Sequence, residues 1–137
     1  MYSLPRTFRR RPAASEEAIV QVAKSLGLSL PDAYEGFLRT TNGGEGFIGD
    51  HYVIFWSAEE LERLNRGYEV QKNVPGLLVF GTDGGSEAFA FDTRRLPWAV
   101  VLVPFVVMGF SAVAPLASSF EAFLGLLYVN ASSFGPQ

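Results

Sequence analysis

Residues 77–92 read LLVFGTDGGSEAFAFD, two apolar runs joined by a short glycine-rich turn that carries Asp83. Such a turn is compatible with a phosphate-binding loop, a metal loop or a β-hairpin. A Walker loop needs Gly-Lys-Ser/Thr after its spacer, and a dinucleotide loop needs G-x-G-x-x-G at the start of a helix, but neither pattern is present. The alternation of aromatic and small residues after Gly85 is typical of a strand with one face in a core. The stretch therefore predicts a β-hairpin with its turn at residues 83–85.

Two amphipathic helices are predicted upstream of this hairpin. The first follows the capping residue Ser15, carries acidic residues in its first turn and ends at Gly27. The second begins near Pro31 and stops at Asn42-Gly43-Gly44. We expect these two helices to form a helical hairpin.

The residues between the second helix and the β-hairpin predict a strand and a third helix. Tyr52–Trp56 is a β-branched and aromatic run, which favours a strand. Ser57 and Glu60 then form a capping box, in which each side chain accepts from the backbone N–H of the other residue. The helix that follows should end near Gly67, and residues 68–76 are predicted to be a loop.

Downstream of the β-hairpin the pattern predicts two strands and a closing helix. The strands are Trp98–Val103 and Phe105–Phe110, and a capping box of Ser118 and Glu121 begins the helix. Helices come first, then strands in hairpin-length succession, then a helix. This order predicts an α+β domain with a mostly antiparallel sheet of about four to six strands packed against helices.

Composition excludes several classes of site. The chain of 137 residues has no Cys, and its one imidazole is His51, so disulfides, thiolate metal sites and Cys nucleophiles are ruled out. The amino terminus lacks the apolar core of a signal peptide. The apolar stretch 99–110 is shorter than the roughly 20 residues of a membrane helix. We therefore expect a cytoplasmic protein.

Charge is distributed unevenly. Four arginines lie within residues 6–11, and we predict that residues 1–14 are a flexible Arg-rich arm before a single domain at 15–137. Binding to nucleic acid or an acidic lipid surface is the alternative, and the arm could also lie across the acidic body. Residues 12–137 hold seven basic and fourteen acidic residues, a net charge of −7. Such a body should attract a basic partner and repel nucleic acid, and we expect no membrane partner.

A second glycine-rich stretch, NGGEGFIGDHY at residues 42–52, places Asp50 beside His51. A carboxylate next to an imidazole is compatible with a metal site or a general base. One histidine is too few for a hydrolytic zinc site, and sequential side chains diverge on an extended chain. The stretch therefore predicts a helix cap at Asn42 and Gly43 followed by a mobile surface loop.

The sequence gives little support to catalysis. Motifs such as G-x-S-x-G and H-E-x-x-H are absent, so we expect no enzymatic activity, no catalytic residue, no metal and no cofactor. The remote alternative is an unrecognised hydrolase or metal-dependent enzyme that uses the acidic and imidazole groups of the two glycine-rich stretches. Its candidate residues are Asp50, His51, Asp83 and Glu87.

Four stretches in this order carry a resemblance to a known family: LPDAYEGFLRTTNGGEG at 30–46, WSAEELERLN at 56–65, PGLLVFGTDGGSEAFAFD at 75–92 and PLASSFEAFL at 115–124. With the short helix that precedes them, they resemble the SUKH superfamily, which takes in the fungal Smi/Knr cell-wall-synthesis regulator and many bacterial proteins. The likeness runs from about Ser15 to Phe123. The resemblance marks as fold determinants Pro31, Tyr34, Phe37, Leu38, Asn42, Gly43, Gly44, Gly81, Asp83, Gly84 and Glu87.

The resemblance implies a non-enzymatic domain that binds other proteins. Bacterial members are typically immunity proteins, each made beside a secreted toxin, often a nuclease, which it neutralises by direct contact. A cognate toxin domain is therefore the expected partner. A regulatory adaptor that binds endogenous proteins, as the fungal relative suggests, is the alternative.

The partner should contact loops and helix ends, because the apolar faces of strands and helices are needed for the core. The predicted core positions are Ile19, Val22, Phe37, Leu38, Phe89, Phe91, Val101, Val103, Phe123 and Leu124. The predicted partner-binding residues, which would form a polar interface for a basic protein, are Glu45, Asp50, His51, Asp83 and Glu87.

Overall fold

The computed structural model describes residues 4–129. Within this range the helices are α1 (Glu16–Leu26), α2 (Asp32–Thr40), α3 (Ala58–Gly67), α4 (Val70–Asn73) and α5 (Phe120–Val129). The strands are β1 (Arg9–Arg10), β2 (Gly44–Ile48), β3 (His51–Phe55), β4 (Leu77–Thr82), β5 (Glu87–Asp92), β6 (Ala99–Pro104) and β7 (Ala114–Ala117). None of the helices described is long and apolar enough to cross a membrane.

The strands form one antiparallel sheet in sequence order, from β1 at one edge to β7 at the other. In the β4–β5 pair, Leu77 lies opposite Asp92 and Thr82 opposite Ala88, which confirms the predicted hairpin. The α+β class with an antiparallel sheet is likewise confirmed. The described part of the chain has seven strands, one more than the predicted range allowed. The strands missed are β1, β2 and β7. The arginine and glycine residues of β1 and β2 give no β-branched or aromatic run.

Local side-chain chemistry sets the helix ends. The Ser15 hydroxyl accepts from the Ala18 N–H at 3.1 Å, and Gly27 ends α1 with φ of 68°. The predicted capping box of α3 is present, because the Ser57 N–H donates to Glu60 Oε1 at 2.9 Å. The last helix begins one residue later than predicted. Its capping hydroxyl belongs to Ser119, the second of two adjacent serines, which accepts from the Ala122 N–H at 3.1 Å.

An aromatic cluster fills the core between the sheet and the helices. The Phe80 ring stacks on Phe91 with centroids 4.4 Å apart and meets Phe123 edge-on at 5.8 Å. Tyr34 on α2 meets Phe120 on α5 edge-on at 5.2 Å, which ties the two helices together. The predicted core positions are all buried: Ile19, Val22, Phe37, Leu38, Phe89, Phe91, Val101, Val103, Phe123 and Leu124.

Two segments differ from the prediction. Residues 68–76 contain the short helix α4 rather than only a loop, and Val70, the first residue of that helix, is buried. The strand predicted at Phe105–Phe110 is instead an irregular segment that ends in one turn of 3₁₀ helix at Phe110–Ala112, and β7 forms later. The segment exposes Val106 and Val107 to solvent. Apolar composition alone does not separate a strand from an irregular segment that packs on the sheet.

Candidate protein-binding surface

The glycine-rich stretch at 42–52 is a β-hairpin rather than a mobile loop. It forms β2, a turn at Gly49 and Asp50, and the start of β3. Its glycines make room for the N-terminal segment: a Cβ on Gly44 would lie 2.9 Å from Phe8 Cε1, and one on Gly46 would lie 2.9 Å from Phe8 Cα. These glycines therefore serve close backbone approach, which sequence alone does not distinguish from flexibility.

The N-terminal segment is anchored rather than flexible where the structure describes it. The Phe8 side chain is only 2% exposed, and Arg9 and Arg10 pair with β2 as strand β1. The Arg11 N–H donates to the Thr41 hydroxyl at 2.9 Å, and its guanidinium lies 3.1 Å from Glu60 Oε1. The segment thus lies across the acidic body, which was one of the alternatives considered for the arginine-rich residues.

Glu45, one of the predicted contact residues, is engaged inside the protein. The Tyr52 hydroxyl donates a short hydrogen bond to Glu45 Oε2, and Arg9 lies 3.0 Å from the same oxygen. The hydrogen bond from Tyr52 holds the pKa of the Glu45 carboxyl below its usual range and raises the pKa of the Tyr52 hydroxyl. Glu45 therefore remains ionised and is oriented by two partners.

Asp50 and His51 diverge, as expected for neighbours on an extended chain. Asp50 is exposed at the β2–β3 turn, whereas His51 is the first residue of β3 and is only 9% exposed. The predicted surface position of His51 is therefore wrong. The side chains at 51, 53 and 55 all point toward the core face of the sheet.

Asp83 has a structural role in the β4–β5 turn. Its Oδ1 accepts from the Gly85 N–H at 2.8 Å and from the Glu87 N–H at 3.2 Å, which fixes the turn. Gly84 places this turn beside β3, because a Cβ there would lie 3.3 Å from the Tyr52 ring. The structure thus brings the Asp83 turn close to Glu45 through Tyr52.

An open face on β2 and β3 was not predicted. Glu45 lies opposite Ile54 and Phe47 opposite Tyr52, so these four side chains share the side of the sheet away from Val53 and Phe55. Phe47 is 55% exposed, and its ring meets that of Tyr52 edge-on at 5.1 Å. The available signal was the alternation of HYVIF, which places Tyr52 and Ile54 on one face.

Next to the open face lies a groove of about 410 Å³, here called the aromatic groove. It runs between α3, the β4–β5 turn and the start of the irregular segment after β6. Its lining residues are Ile54, Trp56, Leu64, Tyr68, Thr82, Gly84, Gly85, Ser86, Phe105 and Val106. Tyr68 is 46% exposed and Val106 77% exposed. Because Ile54 belongs to both the groove and the open face, the two adjoin as one largely apolar surface.

A larger depression of about 510 Å³ lies between α1, α3, α4 and β4. Its polar side chains are already occupied. Gln71 donates to the Leu77 carbonyl at 2.6 Å and accepts from the Gly76 N–H at 3.1 Å, and Thr93 donates to the Gly76 carbonyl at 2.7 Å. The charged residues of its lining pair with each other, Arg66 with Glu62 and Lys72 with Glu69, so these bonds account for its polar side chains within the protein.

The residues of the remote hydrolase alternative are not assembled into one site. Asp50 and His51 lie on the β2–β3 hairpin, and Asp83 and Glu87 lie on the β4–β5 hairpin. No group of three or more His, Asp or Glu side chains within residues 4–129 is arranged to hold a metal ion. The arrangement of apolar and aromatic side chains on the open face and groove instead suits contact with another macromolecule.

Comparison with known proteins identifies the family. No curated protein matches the chain. The SMI1 / KNR4 family (SUKH-1) matches residues 13–126, which covers every helix from α1 to α4 and the sheet from β2 to β7. This match extends over most of the chain, in agreement with the resemblance seen in the sequence. The chain therefore belongs to the SMI1 / KNR4 family (SUKH-1).

Proposed function

We propose that this protein is a non-enzymatic protein-binding module, and that it acts as an immunity protein which neutralises a cognate toxin by direct binding. The family includes toxin-immunity proteins and Smi1/Knr4 regulators, and its members are generally non-enzymatic. A nuclease is the toxin class that the acidic character of this chain favours. The expected site of action is the cytoplasm.

The observation that carries the proposal is the continuous apolar surface made by the open face and the aromatic groove. Phe47, Tyr68 and Val106 expose about half or more of their side chains there. Soluble monomers rarely keep a large apolar patch in water unless it binds something. Tyr, Trp and Phe are also the residues enriched at the energetic centres of protein interfaces.

The net negative charge of the domain supports a basic partner, although this charge is smaller than the sequence of residues 12–137 indicated. Because Arg9 and Arg11 pair with Glu45 and Glu60, the partner meets a domain of net charge −3 rather than a body of −7. Among the ion pairs of residues 4–129, none involves Asp50, Asp83 or Glu87. These carboxylates are available to steer a basic protein toward the domain.

The test begins with the neighbouring open reading frame. If it encodes a secreted protein with a variable carboxy-terminal toxin domain, that domain is expressed in a susceptible strain with and without this protein. We expect growth to be rescued and a stable complex to be purified. Tyr68→Ala, in the groove, should weaken rescue, whereas Val20→Ala, an exposed apolar residue on α1, should leave it unchanged.

Absence of both rescue and complex would reject the immunity function. A deletion strain that shows a defect in the absence of any toxin, with no toxin gene beside it, would instead favour the regulatory adaptor. A deletion strain that is healthy alone but killed by a toxin-bearing sibling would exclude the adaptor.

A further inference from the structure

The aromatic groove is electrostatically suited to a cation. Of its three aromatic side chains, Tyr68 is 46% exposed, Phe105 is half-buried and Trp56 is buried. Tyr68 packs between the other two rings, with centroids 6.1 Å from Trp56 and 4.5 Å from Phe105, so its exposed part is what the groove presents to a cation. The faces of aromatic rings carry negative partial charge, which attracts guanidinium and ammonium groups. No Lys, Arg or His is among the residues that line the groove.

Two carboxylates lie next to residues that border the groove. Asp83 immediately precedes Gly84 in the groove wall, and only its Oδ1 is used by the turn. It forms no ion pair with any residue in the described range. Glu45 lies on the other side of Tyr52, whose ring packs next to Gly84. Because Glu45 is paired with Arg9, Asp83 is the carboxylate whose charge would face a cation in the groove.

The protein uses this kind of contact elsewhere with its own arginine. The Arg94 guanidinium lies over the Phe110 ring, 4.6 Å from its centroid, and is also paired with Asp92 at 2.9 Å. The aromatic groove offers the same combination of a ring and a nearby carboxylate, but no basic side chain from residues 4–129 lines it. A cation that binds in the groove would therefore come from another molecule.

We propose that the aromatic groove receives an arginine side chain from the protein partner. This inference rests on the proposed protein-binding function and adds the chemistry of the contact. Arginine fits better than lysine, because its planar guanidinium stacks on aromatic faces and sheds water more readily than an ammonium group. Leu64 and Val106 supply apolar surface for the methylene stem of the arginine.

The test uses short peptides and the two tryptophans of the chain. Trp56 lines the groove, whereas Trp98 packs against Phe91 with centroids 5.6 Å apart and serves as the internal control. The folded, ¹⁵N-labelled protein is titrated with acetyl-Gly-Arg-Gly-amide and with the same peptide carrying citrulline, which has the shape of arginine without the charge. We expect the Trp56 indole signal to shift with the arginine peptide and to shift far less with citrulline, while Trp98 stays unchanged.

Two variants locate the contact. Tyr68→Ala should lower the affinity for the arginine peptide about three- to tenfold. Tyr68→Phe should bind the peptide as tightly as the wild type, because the face of the ring supplies the attraction. Asp83→Asn keeps the Oδ1 acceptor of the turn and removes the charge, so it should weaken binding and reduce its salt dependence. Its spectrum should otherwise match that of the wild type.

Several results would overturn the inference. Equal shifts with citrulline, or shifts of Trp98 as large as those of Trp56, would show that the groove does not select a cation. Equal affinity for a lysine peptide would remove the preference for arginine. None of these results bears on complex formation with a toxin domain, so the arginine site and the proposed function fail separately.

Discussion

The side-chain amide of Asn65 on α3 acts as a strand partner for Val79 in β4. Its Oδ1 accepts from the Val79 N–H at 2.9 Å, and its Nδ2 donates to the Val79 carbonyl at 2.8 Å and to the Leu61 carbonyl at 2.7 Å. β3 pairs with β4 through Ile54 and Phe55, and the Trp56 N–H donates to the Phe80 carbonyl at 2.9 Å before the chain enters α3. Asn65 thus satisfies backbone groups that the next strand does not reach.

Asn65→Ala should therefore destabilise the domain strongly. Both Val79 backbone groups would be left buried without a partner, and each costs about 1–3 kcal/mol, so we expect a total loss of about 2–6 kcal/mol in the free energy of unfolding. Urea denaturation followed by fluorescence measures it. Asn73→Ala, which removes one exposed bond to the Glu69 carbonyl, is the control. Equal losses in the two variants would contradict this role of Asn65.

The anchoring of the N-terminal segment depends on Phe8. Its ring lies 6.2 Å from that of Phe55 and is almost fully buried, so Phe8→Ala should cost about 3 kcal/mol of stability. Trypsin should cut the native protein slowly after Arg9 and Arg10 and the variant much faster. Arg6→Ala, at an exposed position, should change neither quantity. Rapid cleavage of the wild-type protein at these bonds would show that the segment is not anchored.

Tyr34 buries a hydroxyl that has no hydrogen-bond partner among the described residues. Removing it should relieve a desolvation cost, so Tyr34→Phe is expected to stabilise the domain by about 1 kcal/mol. Burial also raises the pKa of the Tyr34 phenol above its usual value. The neutral phenol is therefore favoured in the folded state over the unfolded state.

This pKa shift predicts a pH dependence. The contribution of Tyr34 is fully present below the unfolded pKa of about 10 and is lost as the pH rises above it, at up to about 1.4 kcal/mol per pH unit. Urea denaturation at pH 8, 9, 10 and 11 should thus show a widening advantage of Tyr34→Phe over wild type. Because the other tyrosines are common to both proteins, the difference isolates Tyr34. A constant difference across this range would refute the assignment.

Val107 holds a left-handed backbone conformation, with φ of 57°, although its side chain is 86% exposed. A β-branched residue pays about 1–2 kcal/mol for this conformation, and glycine does not. After allowing for the greater freedom of glycine in the unfolded chain, Val107→Gly should stabilise the domain by roughly 0.5–1 kcal/mol. Val106→Gly is the matched control and should destabilise it. The melting temperatures of both variants decide the point.

Asp50 is the cleanest test of electrostatic steering among the predicted contact residues. It is exposed and has no ion pair within residues 4–129, whereas reversal of Glu45 would also break its contacts with Arg9 and Tyr52. Once the toxin domain is available, Asp50→Lys should lower the rate at which the protein associates with it several-fold and make that rate less dependent on salt concentration. Glu17→Lys on α1 makes the same change in net charge. If both variants slow association equally, the location of Asp50 is irrelevant.

Much of the fold was determined by local sequence signals. Ser57 and Glu60 lie three positions apart and cap α3, and the alternation around Phe89 and Phe91 predicts a strand, although Ala88 and Ala90 on its other face are buried as well. Such signals involve residues that are close in the chain, so they can be recognised from the sequence alone. The family was identifiable for the same reason, since its stretches coincide with these caps, turns and strands.

The tertiary structure alone decided the roles of the glycine-rich stretch, the arginine-rich segment and the binding surface. Gly44 and Gly46 accommodate Phe8, and Arg9 meets Glu45, a residue 36 positions away in the chain. The aromatic groove unites Trp56 and Tyr68 at the two ends of α3 with Phe105, which follows β6. Contacts between residues so far apart in the chain depend on how whole helices and strands pack. The residues next to a glycine, an arginine or a tyrosine in the sequence do not indicate which distant residue it will contact.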